Sequence, residues 1–129
     1  DGIPGLVVDI ERRPPALAFG SGGVSGRAIL PVGVLATWKV SRAITLPVIG
    51  VGGVASASDA LQYIMAGASL VGIGTAALRN PRTPERIVRD LAASCGRRGA
   101  VLSEVRGALQ WAACLRPSLR WTSRQSSPR

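Results

Sequence analysis

Leu46-Pro47-Val48-Ile49-Gly50-Val51-Gly52-Gly53 and Leu70-Val71-Gly72-Ile73-Gly74-Thr75 are two short apolar runs that both end in glycines, about one strand–helix unit apart. Leu46 to Gly50 is apolar without alternation, as expected of a parallel strand covered on both faces, and Leu70 to Ile73 reads as the next strand. Glycines at the end of a strand let backbone N–H groups approach an anion, because no Cβ stands in the way. Gly74-Thr75 adds a hydroxyl suited to a phosphate oxygen. Two such turns on neighbouring strands form the phosphate site of the last two units of a β/α barrel. A closed eight-stranded barrel takes roughly 250 residues, whereas this chain has 129. The expected fold is therefore α/β, the C-terminal half of a (β/α)8 TIM barrel over residues 1–112. An opening Asp1 in place of methionine fits a part of a longer protein. A small stand-alone α/β domain is the alternative.

Between the two runs, Ser56 or Ser58 can cap a helix whose positive N-terminal end favours Asp59. Ala60, Leu61, Ile64 and Met65 are expected to form its buried stripe, and Gly67 is a natural residue just past its end. Upstream, Gly5–Ile10 reads as a strand bounded by Pro4 and by Glu11-Arg12-Arg13-Pro14-Pro15. Residues 20–26, Gly-Ser-Gly-Gly-Val-Ser-Gly, read as an ordered loop facing something anionic or flat. From Ala28 the pattern turns helical, with Pro31 in the first turn and Leu30, Val34, Leu35, Trp38 and Ile44 near a 3.6 period.

Downstream, Thr83-Pro84 opens a helix in which Ile87, Val88, Leu91 and Cys95 share one face, with Gly96 as its stop. Ser103 starts a last helix with Val105, Ala108 and Leu109 inward. This order of elements favours a parallel sheet with crossover helices. Residues 113–129 hold Pro117, Pro128 and four arginines. They follow neither period and are expected to be a basic, disordered tail.

Composition removes several functions. There is no histidine, and Cys95 and Cys114 lie outside any CxxC pattern, so neither a His/Cys zinc site nor a Ser/His/Asp or Cys/His catalytic set can form within these residues. The two cysteines read as small apolar core residues, which points to a cytoplasmic setting. No window approaches the roughly 20 apolar residues of a membrane span. The net charge of +9 is concentrated at the end, where residues 97–129 carry seven arginines against Glu104 alone. With fifteen arginines, one lysine (Lys39) and only Trp121 as an aromatic in residues 113–129, the charge reads as a coding bias, and no nucleic-acid partner is expected. Asp9, Glu11 and Asp59 form no paired arrangement suited to acid/base work, so no catalytic residue is assigned. Counting from Gly50, Ala55 takes the last place of a GxGxxG/A dinucleotide pattern, yet no acidic residue follows about 20 positions on at a strand end. Dinucleotide binding is the weaker reading.

Three stretches in this order resemble class 1B dihydroorotate dehydrogenase, the FMN-containing catalytic subunit of pyrimidine (UMP) biosynthesis. They are Gly22-Gly23-Val24-Ser25-Gly26-Arg27-Ala28-Ile29, Val48 through Gly53 with its spacing to Gly67-Ala68, and Val71-Gly72-Ile73-Gly74-Thr75. Ser103 to Leu109 is similar to the family's final helix. The likeness runs from Asp1 to about Trp111 and covers the C-terminal half of such an enzyme.

The resemblance implies a flavoprotein oxidoreductase that converts dihydroorotate to orotate, with FMN at the C-terminal ends of the barrel strands. It places Gly26 near the flavin, and Gly52, Gly53, Gly74 and Thr75 at its phosphate. It also implies an iron–sulfur flavoprotein electron-transfer subunit as partner and a homo-oligomeric full-length parent. The family's substrate-binding Asn-Thr pair corresponds to Asp1 and Gly2, where a carboxylate would repel anionic orotate, and Arg27 stands in place of a usual proline. The family's catalytic cysteine and flavin-contacting lysines belong to the upstream half, and neither Cys95 nor Cys114 matches that cysteine. By itself this half is expected to be inactive. Another phosphate-binding β/α-barrel enzyme, or a non-catalytic remnant of the dehydrogenase, are the rival readings.

Overall fold

A computed structural model of the chain describes residues 3–110. Asp1, Gly2, Cys114 and the expected tail at 113–129 lie outside the described residues. The fold is α/β, and its centre is a parallel pair of strands, β3 (Ile49–Val51) and β4 (Leu70–Gly72), in the register Ile49 to Leu70, Gly50 to Val71 and Val51 to Gly72. Helix α2 (Ala57–Met65) crosses between them, as a parallel connection requires. Its N-cap is Ser56, whose Oγ accepts from the Asp59 amide at 3.2 Å. The expected unit of strand, glycine turn, capped helix and strand is thus present.

On one side of the pair, α1 (Leu30–Ala43), α2 and α4 (Thr83–Arg98) build the core. Val54, Ala60, Tyr63, Ala68 and Ile87 are buried there, with Leu30, Val34, Val71, Ile73 and Leu91 packed against them. The α2 stripe differs from the expected one. Ala60 and Ile64 are buried, but Leu61 and Met65 are only half-buried, and fully buried Tyr63 holds the centre. Leu35 on α1 and Ile44 just past its end are exposed, and on α4 Val88 turns outward at 67% exposure.

The other face of the pair is bare. Ile49, Val51 and Leu70 share it, and are 60, 59 and 63% exposed. The expectation of a strand covered on both faces is corrected here: Gly50 and Val71 face the helices, while the opposite side carries apolar residues with no layer over them among the described residues.

Other expectations shift. Gly5–Ile10 is not a parallel strand. Only Pro4–Gly5 (β1) pairs, antiparallel, with Gly22–Gly23 (β2), and Val8 bridges Pro15. The reason is local. The Asp9 carboxylate accepts from the amides of Glu11 and Arg12 at 3.0 Å each, which turns the chain back on itself. Leu6, Val7, Ile10 and Phe19 are left exposed on this arm. Residues 20–26 form the loop around β2, and a 3-10 turn at Arg27–Ile29 leads into α1.

Strand β3 starts at Ile49 rather than Leu46 because Pro47 has no N–H to donate, although the Val48 carbonyl already accepts from Ser69 at 2.8 Å. Gly96 does not stop α4. The helix runs on to Arg98 and ends at Gly99, whose φ of +60° lets its N–H reach back to the Cys95 and Gly96 carbonyls. A short helix α3 (Thr75–Arg79) follows β4, which the sequence reading missed. The last helix, α5, spans only Leu102–Val105. Beyond it Gly107 and Leu109 donate to the Ile64 and Met65 carbonyls at 3.0 and 3.1 Å, Ile64 also accepting from Gly67 at 2.9 Å, so the segment docks on the carbonyl end of α2. Ala108 and Leu109 are consequently exposed rather than inward.

Candidate functional site

Three glycine-bearing segments meet at the C-terminal ends of β3 and β4. The turn after β3 places Gly52 at φ +129° and Gly53 at φ +72°, values that favour glycine. A Cβ on Gly53 would stand 2.9 Å from Leu30 Cβ and 3.0 Å from the Gly26 carbonyl. The 26–29 turn therefore lies directly on the 52–53 turn, and only glycine permits that approach. Gly74 ends the β4 segment, with open space where its Cβ would be.

Together they line a cavity of about 200 Å³ whose walls include Gly26, Gly53, Gly74 and Thr75. The structure thus brings together Gly26, expected near the flavin, and three of the four residues expected at its phosphate, Gly53, Gly74 and Thr75. Gly52 is not on the wall, and its role is the carbonyl that holds the turn (below). Asp1 and Gly2, the substrate-contact positions, lie outside the described residues.

Two charged walls were not anticipated as ligands. Arg27 and Arg79 both line the cavity. Arg79 stands four residues after Thr75 on α3 and so on the same helical face. That spacing was the available signal, and it was lost because α3 itself was missed. Behind Arg27, the Asp59 carboxylate accepts from the Ala55 amide at 3.1 Å and pairs with the guanidinium at 3.7 Å. The cavity wall thus combines three glycines with Val54, Ala55 and Ala76, one hydroxyl and two cations; its donors suit an oxyanion, and it offers no general base.

The turn is held from beneath by Tyr63. Its hydroxyl donates to the Gly52 carbonyl at 2.8 Å, with the Val51 carbonyl sharing the proton at 3.1 Å. The ring passes through a slot left by Gly33 on α1 and Gly50 on β3, where a Cβ at either position would run into it. Burial pushes the Tyr63 hydroxyl pKa up from its usual value of 10.0. Among the described residues no cluster of histidine, cysteine and carboxylate side chains could hold a metal ion. No helix among them is long and apolar enough to cross a membrane.

This geometry defines an α/β protein with a parallel βαβ unit and an anion-suited cavity at its strand-end glycines. The chain belongs to the dihydroorotate dehydrogenase family, whose sequence profile matches residues 3–94, and within it the chain stands with the class 1B enzymes. It is 45% identical over 109 residues to the catalytic subunit of dihydroorotate dehydrogenase B (NAD(+)) from Trichlorobacter lovleyi, covering 84% of this chain and 36% of that protein. It is 44% identical over 89 residues to the same subunit from Citrifermentans bemidjiense, covering 69% of this chain and 29% of that one. The corresponding subunit from Desulforudis audaxviator is 47% identical over 89 residues, with the same 69% and 29% coverage. The chain therefore spans about a third of the length of the curated relatives it matches.

Proposed function

We propose that this chain is the C-terminal part of an FMN-dependent dihydroorotate dehydrogenase, folded as half of a (β/α)8 barrel, and that its task is to hold the flavin phosphate. The observation that carries the reading is the shared cavity of Gly26, Gly53, Gly74 and Thr75 at the strand ends. Its donors, its missing Cβ atoms and its two arginines fit a phosphate group. The bare apolar face of Ile49, Val51 and Leu70 supports the half-barrel, since that face would be interior once further strands closed the ring.

When bound, FMN accepts the hydride that dihydroorotate loses on becoming orotate. The residues of this chain position it. Gly53 and Gly74 would let backbone amides close on the phosphate, the Thr75 hydroxyl would be its side-chain donor, and Gly26 would leave room for the flavin. Fixing the phosphate fixes the ring system attached to it, which is the protein's contribution in a cofactor enzyme. Acid–base chemistry comes from the remainder of the protein, so this part alone is inactive. The relatives are named as catalytic subunits, which supports an iron–sulfur flavoprotein partner that takes the electrons onward.

Anaerobic addition of dihydroorotate to the native protein tests this. A flavin spectrum that co-purifies and bleaches as orotate forms is the expected result. A colourless protein, or a flavin that dihydroorotate leaves oxidised, would overturn it.

A further inference from the structure

The two ionisable side chains on the cavity wall are both arginines, contributed by different elements, Arg27 by the 3-10 turn and Arg79 by α3. The ion pair from Arg27 to Asp59 spans 3.7 Å, and the Arg27 side chain is 72% exposed, so that pair does little for the fold. A guanidinium has five N–H donors in a planar fork, which leaves Arg27 able to engage a second anion. Asp59 is only 5% exposed on its side chain and is bound to the Ala55 amide, directly behind the cavity. A phosphate there would meet its negative charge unless a cation screened it, and Arg27 is placed to do so.

We propose that Arg27 and Arg79 clamp a phosphomonoester dianion in this cavity, so that selection of the phosphorylated cofactor rests on two side-chain cations as well as on backbone amides. The proposal rests on the reading that the cavity takes the phosphate of FMN. Arg27 has the added role of neutralising Asp59.

The test is titration of the native protein, stripped of flavin, with FMN, riboflavin and ribose 5-phosphate. The variants are Arg27→Gln, Arg79→Gln, Arg27→Lys and, as a charge control outside this cavity, Arg82→Gln. Each glutamine variant at 27 or 79 is expected to lower FMN affinity roughly 3- to 10-fold, as for a partly screened charge-assisted hydrogen bond. Riboflavin affinity stays level, Arg27→Lys recovers part of the loss, and Arg82→Gln matches the unaltered protein. FMN preferred over riboflavin by an unchanged factor in both glutamine variants would overturn the clamp while leaving the phosphate site standing. An equal loss in Arg82→Gln would overturn it too, as a general charge effect. Ribose 5-phosphate binding as tightly as FMN, with the same arginine dependence, would support the clamp and overturn the flavin reading.

Discussion

Tyr63 and Gly52 are joined by a hydrogen bond of 2.8 Å from the phenol to the backbone carbonyl, so the last turn of helix α2 sets the height of the glycine turn above the cavity. The hydroxyl is buried, and its loss leaves the Gly52 and Val51 carbonyls without that donor. Tyr63→Phe is expected to lower stability by about 1–2 kcal/mol, the usual range for an unpaired buried acceptor. Urea denaturation reads this directly, and an unchanged midpoint would show that the turn stands without the bond.

The slot that admits the ring should be as demanding as the ring itself. A Cβ on Gly33 would run into the Tyr63 hydroxyl, so Gly33→Ala is expected to cost about 1–3 kcal/mol through overpacking. Removing the hydroxyl removes that part of the clash. A double-mutant cycle of Gly33→Ala with Tyr63→Phe should therefore give a coupling of about 1 kcal/mol or more. Strict additivity would mean that α1 shifts freely away from the ring.

The two cavity glycines differ in what they tolerate. Gly53 combines φ +72° with a Cβ position 2.9 Å from Leu30, and Gly53→Ala is expected to lose about 2 kcal/mol or more. The Cβ of Gly74→Ala meets nothing within 4 Å, so its cost to stability should be clearly smaller. Both variants crowd the cavity and should weaken FMN binding. Thermal melts paired with flavin titration separate the two effects.

Tyr63 is the chain's one tyrosine, and burial raises its pKa above 10.0 in the folded state. The unfolded chain releases this proton near pH 10, and the folded chain only at higher pH. The stability it contributes is thus whole below pH 10 and is lost as pH rises through the folded value. Stability measured from pH 9 to 11 should fall more steeply for the unaltered protein than for Tyr63→Phe. Parallel curves would place the hydroxyl in contact with water.

The helix cap offers a more local check. Ser56 Oγ accepts from the Asp59 amide at 3.2 Å, and Ser56→Ala should cost about 1 kcal/mol. Asp59 also bonds the Ala55 amide behind the cavity, so this variant should loosen that wall as well. A stability loss in chemical denaturation with no change in flavin affinity would separate the cap from the site.

Much of this was legible in residue order. The apolar runs ending at Gly52-Gly53 and Gly74-Thr75, the Ser56 cap and the crossover helix between them follow from propensity and period, which act over a few residues. What went astray depended on contacts far apart in sequence. Gly5–Ile10 has strand composition, but the Asp9 turn bends it before it can pair in parallel. Gly96 looked like a helix stop, yet the helix ends at Gly99, where the backbone turns left-handed. The 103–109 segment had a helical period, but its amides were drawn to the end of α2 after a single turn.

The same division holds for the site. Residue order alone determined which glycines could expose backbone to an anion, because that property belongs to the residue and its place at a strand end. Tertiary structure decided that Gly53 but not Gly52 lines the cavity, that Arg27 and Arg79 share it, and that Tyr63 rather than Leu61 or Met65 fills the centre. Those outcomes depend on close approach between α1, β3 and α2. Such approach is set by which Cβ atoms are missing on facing elements, and no periodicity within one element records that.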